Sequence, residues 1–214
     1  MFIIDFDDTL FDTHALKQAQ AVVLEETGVS KEDCEWSYQA ARSASDGQFT
    51  YTNDRRARLL ETRGYNGDKI RNGLEETLTP TALRAGVLPG AIELLTYLRS
   101  RGQSLILLSL GDPNFQELKV KGCGLATYFD RLFMVSEKKE TVIAEMITHH
   151  QPEDYWLLND KIDESVSLSK MFPNMRIVLK HSPRYTETDY EVTGWPHFSH
   201  LSEIQSYFIT HYGE

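Results

Sequence analysis

Phe2-Ile3-Ile4-Asp5-Phe6-Asp7-Asp8-Thr9-Leu10 decides how the rest of the chain is read. An apolar, strand-forming run stops at Asp5, and the carboxylates of Asp5, Asp7 and Asp8 follow almost at once. Water is scarce at the end of a buried strand, so packing like charges there is costly unless something offsets them. A bound cation, or a reaction that uses the charges, accounts for the arrangement.

Working outward, further strand-like runs recur at Ser104 to Leu108, Leu132 to Val135, Tyr155 to Leu158 and Arg176 to Leu179. Between most of them lie helical patterns: Ala91-Ile92-Leu94-Leu95-Leu98, Val142-Ile143-Met146-Ile147 and the shorter Val166-Leu168-Met171-Phe172. Strands alternating with helices predict a parallel α/β sheet with helices on both faces, and near-continuous apolar strands fit burial on both sides. From about Thr13 to about Gly86 the alternation breaks. Four helical segments are expected there: Ala15 to Glu26, Lys31 to Arg42 behind Ser30 as N-cap, Asn53 to Arg63 and Lys69 to Leu78, with Thr79-Pro80 closing the last. This block reads as an insertion over the sheet, giving a core of residues 1–13 and 87–214 and an inserted helical unit of residues 14–86.

Composition sets the class. A chain of 214 residues is long enough to bury a core, and 41% hydrophobic content is ordinary for a soluble globular protein. A net charge of -10 argues against nucleic acid or an anionic membrane as partner. Cys34 and Cys123 lie far apart without a CxxC motif and read as reduced thiols of a cytosolic protein. Neither a signal peptide nor a transmembrane stretch is expected.

Open parallel sheets bind ligands beyond the carboxyl ends of their strands. Asp5-x-Asp7-x-Thr9 falls there, as do Ser109-Leu110-Gly111-Asp112, Glu137-Lys138-Lys139, and Asn159-Asp160 with Asp163 and Glu164 beyond. Asp5, Asp7, Asp160 and Glu164 offer hard oxygen ligands suited to Mg²⁺, while Ser109 and a lysine offer donors to an anionic group. Together these are the parts that phosphoryl transfer needs.

On these residues the sequence resembles the haloacid dehalogenase (HAD) superfamily. Asp5, Asp7 and Thr9 match its Asp-x-Asp-x-Thr motif, Ser109 its strand-end hydroxyl, Lys138 or Lys139 its lysine, and Asp160 and Glu164 its acidic motif. Leu88-Pro89-Gly90-Ala91-Ile92-Glu93-Leu94-Leu95 looks like its helix after the cap, and Gly111-Asp112-Pro113, Gln116, Lys119 and Gly124-Leu125 resemble its next stretch. The resemblance implies a HAD-like three-layer, doubly wound parallel sheet with an inserted helical C1 cap. It implies a hydrolase that uses Mg²⁺ to hydrolyse a small phosphorylated metabolite through an aspartyl-phosphate. Asp5 would be the nucleophile and Asp7 the acid and base. Lys138, with Lys139 as the alternative, would neutralise charge; Ser109, Thr9 and Gly111 would line the phosphate site. Asp5, Asp7, Asp160 and Glu164 would serve the metal, with Asp163 either the alternative to Glu164 or facing solvent. A phosphomutase and a catalytically silent binding module are the alternatives; oligomeric state is open.

Asp7 chooses among these chemistries, because an alkoxide leaving group needs a proton and a departing halide does not. Asp8 stands where many members carry glycine and is expected to point to solvent. Arg55-Arg56-Ala57-Arg58 reads as a solvated helix face, Trp36 and Tyr38 as packing of the inserted unit, and His197 with His200 as part of a loop or strand rather than a metal pair.

Overall fold

Phe2–Ile4 (β1) is buried on both sides because it lies in the middle of the sheet. The computed structural model describes residues 1–42, 50–136, 138–148 and 155–211. The other strands are Leu105–Leu110 (β2), Arg131–Val135 (β3), Tyr155–Asn159 (β4), Met175–Lys180 (β5) and His197–Phe198 (β6). All pair in parallel, in the order β3-β2-β1-β4-β5-β6. Ile4 is in register with Leu107 and Leu158, so β1, β2 and β4 end at one edge.

Alternation along the strands builds two cores. Phe2, Ile4, Leu105, Leu107, Trp156 and Leu158 face one side. They pack with Leu94, Leu95 and Leu98 of the helix Ala91–Ser100 and with Ile204 and Phe208 of the helix Leu201–His211. Ile3, Ile106, Leu108, Leu157, Ile177 and Leu179 face the other side, with Ile143, Met146, Leu168 and Tyr190 from the helices Lys139–Thr148, Ile162–Met171 and Glu187–Thr193. This is the three-layer α/β architecture that the alternation predicts.

Four helices follow β1: Thr13–Glu26 (α1), Lys31–Arg42 (α2), Asn53–Glu61 (α3) and Gly67–Glu76 (α4). Ser30 caps α2 by accepting from Asp33 N at 3.1 Å. The four helices close on a cluster of their own around Leu24, Ala57, Leu60, Ile70 and Leu74. The chain enters and leaves this block side by side, with Asp12 N donating to Gly86 O at 2.8 Å and Leu88 N to Leu10 O at 2.9 Å.

Thr79-Pro80 corrects the sequence expectation. It opens a further helix, Pro80–Ala85 (α5), with Thr79 as N-cap and proline in the first turn, where its missing N–H costs nothing. Leu78 and Leu83 from this segment join the sheet core rather than that of the four helices. No helix among the described residues is long and apolar enough to cross a membrane.

Phe11 ties the loop after β1 to this core, 1% exposed and stacked on Phe6 at 5.1 Å between ring centroids. Phe11→Ala is expected to lower unfolding free energy by about 3–5 kcal/mol in chemical denaturation; a loss below about 1 kcal/mol would show that the loop does not depend on this ring.

Candidate active site

Beyond β1 the backbone turns sharply. The N–H groups of Thr9, Leu10 and Phe11 converge on Phe6 O at 3.3, 2.9 and 3.1 Å. Asp5 N reaches Leu158 O at 2.9 Å, which fixes the first carboxylate beside β4. Asp8 takes the left-handed region at φ 61°, a conformation that suits glycine and that aspartate tolerates. Its expected solvent orientation is corrected: Oδ1 accepts from Thr13 N at 3.1 Å and Oδ2 lies 3.5 Å from Arg184 Nη2. Thr9 is fully buried, and its hydroxyl donates to Asp5 Oδ2 at 3.5 Å, so it faces the nucleophile candidate rather than the pocket.

Asp5 and Lys139 form an ion pair of 2.7 Å with both side chains almost wholly buried, at 2% and 1% exposure. Burial opposes ionisation of Asp5, but Lys139 and then Lys161 outweigh it and hold its carboxyl below the ordinary aspartate value. Lys139 is therefore the lysine placed in the site. Lys138, preferred from the sequence, is exposed at the pocket rim, because the helix begins at Lys139 and turns its first residue inward. Glu137 lies outside the described residues.

Glu164 also differs from expectation. Its Oε2 accepts from Lys139 Nζ at 2.8 Å and Asn159 Nδ2 at 2.9 Å, so Glu164 orients the lysine. Asp163 is exposed and accepts from the Tyr185 hydroxyl.

Asp160 is the contrasting acid. It is fully buried, and neither of its carboxylate oxygens has a hydrogen-bond partner among the described residues. Burial first, and the Asp5 charge second, push its carboxyl up to about 7. Two orphaned anionic oxygens beside a second carboxylate fit a hard divalent cation such as Mg²⁺, which would satisfy both. Lys161 supplies positive charge nearby without bonding these oxygens: burial works against its ammonium, but Asp5, Glu164 and Asp160 raise its pKa above the ordinary lysine value.

Asp7 lines the pocket and receives Thr13 Oγ1 at 2.5 Å, Gln116 Nε2 at 2.6 Å and Lys119 Nζ at 2.5 Å. Burial favours its neutral form, yet Lys119 and these hydrogen bonds hold it far below the usual carboxylate range. Lys119 is boxed by the rings of Phe6, Phe11 and Phe115 at 5.3, 5.8 and 5.5 Å. Ser109 is fully buried with an unpartnered hydroxyl. Gly111 lines the pocket, and a side chain there would lie 2.7 Å from the Gln116 Nε2 that donates to Asp7.

The loop after β1, the start of the helix Pro113–Gly122 and the inserted helices enclose a cavity of about 460 Å³. Gln116, Lys119, Thr13, Lys161 and Arg184 have no assigned role in the sequence reading. Gln116 and Lys119 had a signal: behind the Asp112-Pro113 cap they sit three residues apart, on one helix face. His197 meets His181, at 2.9 Å between ring nitrogens, and not His200.

Such a sheet, with an acidic loop on its first strand and a lysine and acids converging on it, defines a class of hydrolases. The chain belongs to the haloacid dehalogenase-like hydrolases, whose family model matches residues 1–155. Among solved structures it is similar to a protein of Burkholderia xenovorans described as a haloacid dehalogenase-like hydrolase, with 20% identity, 96% of this chain and 94% of that chain covered, and a TM-score of 0.72. A Bacillus subtilis HAD-hydrolase, YfnB, described as bound to magnesium, matches with 14% identity, 96% coverage of both chains and a TM-score of 0.57. An L-2-haloacid dehalogenase of Xanthobacter autotrophicus, described with chloropropionic acid covalently bound, matches with 15% identity, 99% and 98% coverage and a TM-score of 0.59. No curated protein matches the chain in sequence.

Asp160 sets a pH dependence. Its carboxyl titrates near 7 in the folded protein, against 3.8 for an ordinary aspartate. Between those values the folded state holds a proton that the unfolded chain has lost, so its contribution to stability falls as pH rises through that window and is gone above it. In chelator-treated buffer, Asp160→Asn should remove this decline and raise Tm at pH 8 by about 3–8 °C; identical Tm–pH curves for the two proteins would contradict the assignment.

Proposed function

We propose that this hydrolase cleaves a small phosphate monoester through an aspartyl-phosphate on Asp5, with Mg²⁺ as cofactor. The observation that carries the reading is Asp7. An ionisable carboxyl lines the cavity two residues after the nucleophile candidate, and departure of an alkoxide requires such a group where departure of a halide does not.

Asp5, kept ionised by Lys139, attacks phosphorus, and the bond from phosphorus to the leaving oxygen breaks. Asp7 delivers a proton to that oxygen. It then takes one from the water that attacks the phosphorus of the intermediate, releasing inorganic phosphate and free Asp5. The acid role requires Asp7 to gain a proton first, and Lys119 opposes this in the ligand-free protein. Phosphate beside Asp7 supplies the change: its negative charge raises the proton affinity of the carboxyl and competes for the Lys119 ammonium.

Ser109, whose buried hydroxyl has no partner among the described residues, would donate to a phosphoryl oxygen, and Lys139 would neutralise the transferring group. Asp5, the Asp7 backbone carbonyl and Asp160 would hold Mg²⁺, which supplies positive charge against the repulsion between carboxylate and phosphate. The four-helix block acts as a cap that excludes water and admits a small metabolite. Transfer back to the substrate instead of to water would make the protein a phosphomutase, and release of inorganic phosphate separates the two.

Phosphate release from a panel of phosphomonoesters, with Mg²⁺ and with chelator, is the test. Asp5→Asn is expected to lose at least about 10³-fold in kcat and Asp7→Asn about 10²–10⁴-fold, with both folded by circular dichroism. Wild-type turnover by Asp5→Asn would refute the nucleophile.

A further inference from the structure

At the β6 end of the sheet two imidazoles meet, on residues that do not line the cavity. His181 directly follows β5, and His197 opens β6. Strand pairing sets them side by side: Leu179 is in register with His197, and His181 N donates to Phe198 O at 2.8 Å. His181 Nε2 and His197 Nδ1 stand 2.9 Å apart. Glu187, the first residue of the helix after β5, completes a triangle. Its Oε1 lies 3.6 Å from His197 Nδ1, and its Oε2 3.7 Å from His181 Nδ1. One donor atom from each of the three residues falls within 4.8 Å of the other two.

A metal ion fits this spacing. Tetrahedral bonds of about 2.0–2.2 Å to imidazole nitrogen and carboxylate oxygen place the ligand atoms about 3.3–3.5 Å apart. The separations of 2.9 and 3.6 Å at His197 Nδ1 lie on either side of that range, so small side-chain movements close the set. The two facing nitrogens share one ring proton, and a tautomer shift of a neutral imidazole frees both lone pairs. In its ligating tautomer His181 carries the proton on Nδ1, which faces Ser199 Oγ at 3.0 Å. Metal-bound histidines ordinarily have such an oxygen on their far nitrogen. The planes of the rings are set in advance. Tyr190 is 1% exposed and lies parallel to both within 21°, with its centroid 4.2 Å from that of His181 and 5.6 Å from that of His197. Glu187 is 62% exposed, which leaves the site open to solvent.

We infer that His181, Glu187 and His197 bind one divalent ion of the Zn²⁺ class, with water as the fourth ligand. Two imidazoles and one carboxylate suit Zn²⁺, whereas Mg²⁺ takes oxygen ligands, so the set is chemically distinct from the acids around Asp5. The inference does not rest on the phosphatase reading. His181 and His197 are 16 residues apart, and the chain between them carries Arg184 to Asp8 and Tyr185 to Asp163. An ion held at both ends of that connection braces one side of the candidate active site and stabilises the fold by mass action.

Calorimetric titration of the full chain with ZnCl₂ tests it, on protein freed of affinity tag and bound metal, in excess MgCl₂ to occupy the oxygen ligands. One Zn²⁺ per chain is expected to bind. His181→Gln, His197→Gln and Glu187→Gln are each expected to weaken it at least about tenfold, the scale that even outer partners of a bound metal carry. Zn²⁺ is also expected to raise the wild-type Tm above its value in Mg²⁺ alone. Ring-nitrogen NMR of the wild type needs no variant to fold, and one equivalent of Zn²⁺ is expected to shift the signals of two of the seven histidines. Absence of saturable binding, affinity unchanged in all three variants, or histidine signals that do not move would overturn the inference. So would a tenfold loss in Asp160→Asn with none in the histidine variants, which would place the ion at the acids around Asp5.

Discussion

The ion pair between Asp5 and Lys139 is the interaction on which the rest of the site depends. Neither charge can be hydrated where it lies, so each needs a counter-charge: Asp5 has Lys139 at 2.7 Å with Lys161 behind it, and Lys139 has Asp5 and Glu164. That requirement fixes the loop after β1 against the start of the helix after β3, two segments 134 residues apart in sequence. Glu164, itself held by Asn159 at the end of β4, takes the same ammonium, so one lysine ties together the loop after β1 and the helices after β3 and β4. Asp160 is what the pair leaves unsatisfied. With the lysine committed to Asp5 and Glu164, its carboxylate has no donor among the described residues, and the charge deficit for a cation is concentrated at one atom group.

A division of labour between the two carboxylates of the first motif follows from their surroundings. Asp5 faces inward and is kept ionised by a buried lysine. Asp7 faces the cavity and is kept ionised by Lys119, whose aromatic box leaves its ammonium little alternative partner. The first arrangement suits a permanent nucleophile. The second suits a group whose protonation state is to change when an anion arrives and competes for Lys119. Membership of the haloacid dehalogenase-like hydrolases gives the scaffold, and these local environments are what direct the scaffold toward a particular chemistry.

Much of this was legible in the sequence. β1, β2 and β4 are apolar runs buried almost throughout, and β5 carries the buried run Ile177-Val178-Leu179; such runs announce a parallel sheet whatever their neighbours. Asp5, Asp7, Ser109 and Asp160 were legible because each directly follows or ends such a run. The lysine was not, since Lys138 and Lys139 differ by one helical position and the choice depends on where the helix begins, a boundary that periodicity locates poorly. Glu164 was identified as an acid of the site, but its engagement by Lys139 and Asn159 is a tertiary fact. Arg56, expected on a solvated face, is 3% exposed: three arginines in four positions resemble a wet surface, and it is the packing of α1 and α2 against α3 that buries the middle one. The two-residue β6 carries too little pattern to be read, and Thr79-Pro80 was read as an end although the same residues serve equally as the start of the next helix.

The proposed chemistry turns on a covalent bond between Asp5 and phosphorus. Rapid acid quench of the protein during turnover of p-nitrophenyl phosphate with Mg²⁺, borohydride reduction and peptide mass spectrometry tests it most directly. Homoserine is expected at position 5 in the wild type and none in the absence of the ester. Turnover with position 5 unmodified throughout, or with reduction at another carboxylate, would contradict it.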